Sequence, residues 1–408
     1  MNIAVAQSGG PTAAINASLL GVFRFAIKYR EIDKIYGAIN GVEGLIRGHL
    51  IDLRTVITTD EDVELIRQTP STLLGSCRYK LPDAESDPAV YEEILKTVTE
   101  HRIGAFFYIG GNDSMDTVQK LHAYFVKKGV DVKVVGIPKT IDNDLPCTDH
   151  TPGFGSAAKY VATTLQEITR DSSVYSIPSV THVEIMGRDT GWLTASSAVL
   201  RANGEPSPHL IYLPEREFSV KRFLDDIRET QKKYYAVVVA ISEGVTPSPD
   251  EVDGEFQSGY VDNFGHKYLA GVAKALSKIV AKELNCKVRA IELNVMQRCA
   301  SHISSKRDIT EAERIGEAAV GAALDGLSGI TMVFERVSHH PYSVRIGHVD
   351  TSLVANRVKY FPTEWIAENG HDVTEAAIEY CLPLIQGEQN LHTKNGLPIQ
   401  FVLKDWQR

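Results

Sequence analysis

Residues 132–146 read VKVVGIPKTIDNDLP, an apolar run that stops abruptly at a loop holding one lysine and two aspartates. The run Val132–Ile137 is rich in Val and Ile and too short for a helix, so it reads as a buried strand. The same arrangement recurs along the chain. Ile3–Ala6 runs into Gln7-Ser8-Gly9-Gly10-Pro11-Thr12 and a helical stretch from Ala13. Ala105–Ile109 runs into Gly110-Gly111-Asn112-Asp113-Ser114 and a helix to about Lys128. His182–Ile185 is followed by Met186-Gly187-Arg188-Asp189-Thr190-Gly191 and a helix through Ala198, and Ala236–Ile241 by Ser242-Glu243-Gly244. Short apolar runs alternating with helical stretches are the pattern of a parallel α/β protein. In such sheets ligands bind outside the carboxyl ends of the strands, so five polar strand ends point to one or two converging sites.

The 408 residues suffice for two α/β domains of ordinary size. Hydrophobic residues make up 43% and charged residues 23%, the mix of a globular chain rather than a disordered one. The five cysteines, Cys77, Cys147, Cys286, Cys299 and Cys381, are scattered without a CxxC pair, which argues against a disulfide framework or a structural zinc site and for a reducing, cytoplasmic setting. MNIAVAQSGG has no secretory-signal pattern, and no run of about 18 apolar residues occurs, so no membrane span is expected. A net charge of −9 weighs against nucleic-acid binding. It leaves a phosphate pocket open, because a few converging cations set the local field whatever the total. Two surface loops are expected, at Leu81–Pro88 and Pro247–Gly259, and a helix at Val373–Cys381.

The loops carry the chemistry. Gly9-Gly10 and Gly110-Gly111 lie between strand and helix, where close backbone approach and helix N–H groups can cradle a phosphate. Tight strand-to-helix turns also use glycine for packing. Neither loop matches GxxxxGK[ST] or GxGxxG, so neither a P-loop nucleoside triphosphatase nor a dehydrogenase is supported. Lys139–Asp144 says more. Phosphoryl transfer to an alcohol needs a carboxylate to take the hydroxyl proton and a cation to offset charge on the transferring group. Asp142 is the candidate base and Lys139 the candidate electrostatic stabiliser; the other reading is an Asx-turn in which Asp142 or Asp144 caps a helix. Arg188 suits bidentate contacts to phosphate or sugar hydroxyls, or a surface ion pair. Glu243 can accept sugar hydrogen bonds or cap a helix. Arg298 and Arg307 flank Cys299–Lys306, as a distal phosphate or a solvated charged face would require, and Arg78 follows the short loop Gly75-Ser76.

Taken together, SGGPTAAINA (residues 8–17), GGNDS (110–114), PKTIDND (138–144), MGRDTGW (186–192), SEG (242–244) and Gln297-Arg298 followed by Arg307 resemble the phosphofructokinase family, in the family's order and over roughly residues 1–350. The resemblance implies two similar Rossmann-like, three-layer α/β domains with mostly parallel sheets and the active site in the cleft between them. It places a donor-binding domain at 1–150 plus about 307–347, and a sugar-phosphate-binding domain at 151–306 plus 348–408. It implies phosphorylation of the 1-hydroxyl of fructose 6-phosphate. Asp142 then matches the proton acceptor. Thr140, Asp144, Met186, Gly187, Arg188 and Glu243 match sugar contacts. Arg298 and Arg307 match contacts to the 6-phosphate, one donated across a homodimer or homotetramer interface. Gly9, Gly10, Arg78, Gly110, Gly111 and Asn112 fall on the donor side.

Donor choice rests on two positions. ATP-using members resemble GGDGS and GTIDND; here Asp113 and Lys139 stand where those have glycine. A carboxylate at Asp113 would occupy the space and mimic the charge of a nucleotide's α-phosphate, so pyrophosphate is the expected donor. It would bind as a Mg²⁺ complex, with Asp113 a metal contact. Two departures stand out. Asn112 replaces the family's usual aspartate, so Asp113 carries more of the metal contact. Ser179 replaces an arginine seven residues before Met186, which leaves sedoheptulose 7-phosphate open as acceptor. An ATP-using kinase and a non-catalytic, sugar-phosphate-binding regulatory subunit are the competing expectations.

Overall fold

The computed structural model describes residues 1–248, 251 and 271–403, and 257–261 and 267–269 as backbone. Strands β1 (Asn2–Gln7), β2 (Ile35–Ala38), β3 (Leu50–Asp52), β4 (Ile103–Gly110) and β5 (Lys133–Pro138) build one side of the molecule. β6 (Ser179–Ile185), β7 (Leu210–Tyr212) and β8 (Ala236–Ser242) build the other. They are followed by the antiparallel pair β9 (Gln257–Val261) and β10 (Lys267–Leu269), then β11 (Lys287–Glu292), β12 (Ile330–His339) and β13 (Tyr342–Asp350).

The larger sheet has the order β13-β12-β5-β4-β1-β2-β3 and is parallel except at its edges, where β3 and β13 run antiparallel to their neighbours. The smaller, β11-β6-β8-β7, is wholly parallel. Each lies between two helical layers. On one face of the larger sheet Ile15 and Leu19 pack with Ile315 and Ala319; on the other Tyr91 and Ile94 pack with Leu121 and Phe125. Phe154 and Val161 cover one face of the smaller sheet, Phe223 and Leu276 the other. This is the expected three-layer α/β architecture, and all five apolar runs are strands buried on both faces.

Register aligns the working ends. Gln7 pairs with Ile109, and Gly110 with Pro138, so the loops after β1, β4 and β5 leave the sheet side by side. Ile185 pairs with Ser242, which brings the Met186 loop beside Glu243.

Some elements differ from expectation. The helix after the fourth loop is one α-turn, Trp192–Ala195, continued as the 3₁₀ segment Ser196–Asn203. Within Leu81–Pro88, Leu81 is fully buried and Pro88 already begins a helix, where its missing N–H costs nothing. Residues 249, 250 and 252–256 of the second expected loop lie outside the described residues. Gln257–Gly259 instead enters β9, where the following Tyr and Val favour a strand. The C-terminal helix is Glu375–Cys381. Among the described residues no helix is long and apolar enough to cross a membrane.

Candidate active site

The loops at the strand ends of both sheets enclose one cavity of ≈ 380 Å³. Its wall includes Gly9, Gly10, Arg78, Gly111, Asn112, Asp113, Lys139, Thr140, Asp142, Asp144, Met186, Arg188, Glu243 and Arg298. Three residues singled out in the sequence stand apart from this wall. Gly187 lies just behind it, its amide donating to Glu243 Oε1 at 3.3 Å. Gly110 is buried, and a Cβ there would lie 2.0 Å from Ser114 Oγ, so its glycine answers to the close approach of strand and helix. Arg307, in the first turn of helix Lys306–Leu324, turns its guanidinium over the Tyr342 ring at 5.1 Å. Ser179 starts β6, at the opposite end of that strand from the cavity and roughly 20 Å away at strand rise. The departure there removes no contact from this chain's own cavity.

Each loop is fixed from below. After β1, the Thr12 hydroxyl accepts from the amides of Ala14 and Ile15 and starts the next helix. The Ser76 hydroxyl donates to the Gly9 carbonyl at 2.6 Å. Lys139 is only 2% exposed, and its ammonium donates to the Gly10 carbonyl at 2.6 Å. The Arg298 guanidinium also reaches this loop, Nη1 lying 3.2 Å from where a Gly10 Cβ would stand. Glycine here leaves room for two cations against the backbone. Asn112 and Asp113 occupy the first turn of the 17-residue helix Asn112–Lys128, whose partial positive charge favours anions.

The third loop aims the candidate base. The Thr140 hydroxyl donates to Asp142 Oδ2 at 3.2 Å and accepts the Asp142 amide at 3.1 Å, which fixes the carboxylate rotamer. Neither Asp142 nor Asp144 caps a helix; the next helix begins only at Phe154. Opposite, the Met186 amide donates to Gln297 Oε1 at 3.1 Å, and the Ser242 hydroxyl to the Gly187 carbonyl at 2.5 Å. Gln297, quoted in the sequence only as part of the Gln297-Arg298 motif, was given no role there, and Glu184 was not singled out. Glu184 accepts from the amides of Gly271 and Ala273 and so caps helix Val272–Leu284 from the cavity wall.

Enclosure shapes the charges. Burial pushes the Asp142 carboxyl above its ordinary range, against the pull of the Thr140 hydroxyl and Arg188. Burial, then the Asp142 charge, lifts Asp144 to about 7. The same causes lift Glu243 to about 8. Lys139 is pushed down to about 8 by burial, with Asp142 opposing and Arg298 reinforcing the fall. The site is thus poised for proton transfer near neutrality.

Glu243 yields a prediction. Its carboxyl ionises at lower pH in the unfolded chain, so ionising it in the folded chain costs stability as pH rises from about 4.5 through about 8. Glu243→Gln therefore leaves Tm unchanged at pH 5 and raises it above pH 8. A thermal melt at each pH checks this; equal Tm changes at both would refute it.

Among the described residues no cluster of three or more His, Cys, Asp or Glu side chains could hold a metal by itself. Mg²⁺ would take one or two carboxylates and complete its shell with phosphate oxygens and water. Asp113 and Asn112, which line the cavity from the first turn of helix Asn112–Lys128, fit that limited role.

A two-sheet α/β fold whose strand-end loops join cations, a glycine cradle and a held carboxylate defines a phosphotransferase-type site. The chain belongs to the phosphofructokinase family, whose model, described as "Phosphofructokinase", matches residues 2–323. It is 39% identical over 403 residues to a pyrophosphate–fructose 6-phosphate 1-phosphotransferase of Halomonas elongata, covering 97% of this chain and 94% of that one. A Xanthomonas campestris protein of the same name is 40% identical over 410 residues, covering 99% and 96%. The crystal structure of a pyrophosphate-dependent phosphofructokinase from Marinobacter aquaeolei superposes with a TM-score of 0.86 at 37% identity, covering 98% of this chain and 95% of that one.

Proposed function

We propose that this protein transfers a phosphoryl group reversibly from pyrophosphate to the 1-hydroxyl of fructose 6-phosphate, giving fructose 1,6-bisphosphate and phosphate. The observation that carries the reading is the shared cavity: Lys139 on the Gly10 carbonyl and Asp142 held by Thr140 face one space with Asp113. Asp142 takes the 1-hydroxyl proton as that oxygen attacks the terminal phosphorus. The bond to the bridging oxygen breaks, and phosphate leaves. The Lys139 ammonium offsets charge on the transferring group, and reversal returns the proton from Asp142. Mg²⁺ bound with the donor would supply further neutralising charge, with Asp113 and Asn112 its protein contacts. Thr140, Asp144, Met186, Arg188, Glu243 and Arg298 serve the sugar phosphate. Asp113 disfavours ATP by standing where an α-phosphate would go.

The donor domain takes residues 1–150 and about 307–347, and the sugar domain 151–306 and 348–408. Arg307, away from its own chain's cavity, supports a homodimer or homotetramer in which it serves a neighbouring copy. The protein works in the cytoplasm.

The test is turnover of fructose 6-phosphate, and of sedoheptulose 7-phosphate, with pyrophosphate and then ATP, each with Mg²⁺. Faster turnover with pyrophosphate on fructose 6-phosphate is expected. A preference for ATP would overturn the donor assignment, and ligand binding without turnover would restore the regulatory-subunit reading.

A further inference from the structure

The family model ends at residue 323, yet side chains from beyond that point are built into the loop that carries the candidate base: Arg336, which donates to Asp149 Oδ2 at 2.9 Å, and Lys359 and Tyr380. Lys359 grips it at both ends. Its backbone amide donates to the Asp144 carbonyl at 2.7 Å. Its ammonium donates to the carbonyls of Thr148 at 3.1 Å and Asp149 at 2.9 Å, and reaches Asn143 Oδ1 at 3.5 Å. Trp192 holds Lys359 in turn: the indole N–H donates to the Lys359 carbonyl at 2.9 Å, and the ammonium lies 4.8 Å from a Trp192 ring centroid.

Tyr380 completes the closure. Its hydroxyl donates to the Asp149 carbonyl at 2.6 Å and accepts from Asn143 Nδ2 at 2.8 Å. Asn143 sits between Asp142 and Asp144 with φ of 55°, and its Oδ1 also accepts the Thr151 amide at 3.1 Å. A left-handed asparagine persists only where its surroundings hold it. Here the holding groups are Thr151, Lys359 and Tyr380.

We propose that Lys359 and Tyr380 are positioning residues that clamp the Lys139–Thr151 loop so that Asp142 faces the substrate. The proposal rests on the reading of Asp142 as proton acceptor. A lysine placed only for solubility would keep its ammonium in water; this one, half-buried, turns its ammonium onto three neutral oxygens of one loop. Because those acceptors are neutral, its charge still acts on the loop's carboxylates. The charged groups facing the ammonium are Asp144 and Asp149 from the loop and Arg336 from β12. Asp144 in turn faces Asp142, Asp189 and Lys359.

Lys359→Met and Tyr380→Phe test the clamp by two readouts. Backbone amide exchange across residues 139–151 should accelerate in both variants, with the remaining strands unchanged. In the pyrophosphate–fructose 6-phosphate assay kcat should fall about tenfold with KM for pyrophosphate little altered, the mark of a displaced reacting group. Only Lys359→Met should also move the acid limb of the pH profile upward, since only it removes a cation beside Asp144. Tyr380→Phe leaves the ring over Arg336 at 4.6 Å and beside Trp192 at 5.2 Å, so it remains informative should Lys359→Met not fold. Loop exchange and kcat at wild-type levels in Tyr380→Phe, or in a folded Lys359→Met, would overturn the proposal. If the wild-type chain shows no turnover, the functional reading fails, and the exchange measurement still decides the clamp.

Discussion

Replacing Asp142 with asparagine lowers turnover by about 10³- to 10⁴-fold and leaves the chain folded. The carboxamide has the carboxylate's shape and keeps an oxygen for the Thr140 hydroxyl, which donates to it at 3.2 Å in the native protein. What it cannot do is take a proton. The fold should not suffer, because burial disfavours the Asp142 charge, and an uncharged side chain relieves that cost at neutral pH and above. Loss of rate with Tm equal to or above wild type is therefore the expected pair of results. The pH dependence gives a second check. Asp142 works ionised, so kcat/KM rises as pH rises through its pKa, and that limb lies above the ordinary carboxylate range. Asp144, lifted to about 7 by burial and by its neighbour's charge, titrates together with it. Asp144→Asn removes one of two facing negative charges and should move the limb to lower pH. Full turnover in Asp142→Asn would end the assignment of the base.

The strands that could be read from sequence and those that could not differ in burial. β1, β4, β5 and β8 are covered on both faces and appear as short runs dominated by Val, Ile, Phe and Ala, while β6, equally buried, carries His182 and Glu184 among its apolar residues. β11 is an edge strand, and KVRAIE alternates charged and apolar residues along a largely exposed surface. β7 has three residues, too few for a period to show. β12 begins with the buried ITMVF and then leaves the core with β13 as a hairpin carrying exposed charges. The loops were legible for a related reason: clustered charge directly after a buried strand has few purely structural uses, whereas glycine there, as at Gly110, also serves packing. Arg307 shows where spacing stops. Sequence places it beside Arg298, but only the helix beginning at Lys306 determines that its guanidinium meets Tyr342 instead of the cavity. Lys359 and Tyr380 carried no local signal, because their acceptors lie more than 200 residues earlier in the chain.

Lys139→Met should lower pyrophosphate-supported turnover by about 10²- to 10³-fold, the usual cost of removing one preorganised group from a transition-state charge. Methionine is close to lysine in length and apolar, so at a position 2% exposed it fills the space and leaves no large void. It removes the ammonium that bonds the Gly10 carbonyl and faces the donor end of the cavity. The sign of the pH effect follows from burial, which brings Lys139 down to about 8. The cation is present below that pH and lost as pH rises through it, so wild-type kcat/KM should fall on the alkaline side near pH 8. In Lys139→Met the part of that limb due to the ammonium should vanish, leaving only the contribution of Glu243, which titrates near 8. A merely structural lysine, propping the glycine loop, would give a different result: substitution would lower Tm and leave the alkaline limb in place. Donor choice separates the partner position. Asp113→Gly combined with Lys139→Gly removes both the carboxylate proposed to take an α-phosphate's place and the cation proposed to suit the shorter donor, so the ratio of pyrophosphate to ATP turnover should fall. A double variant with the wild-type ratio would show that these two side chains do not select the donor.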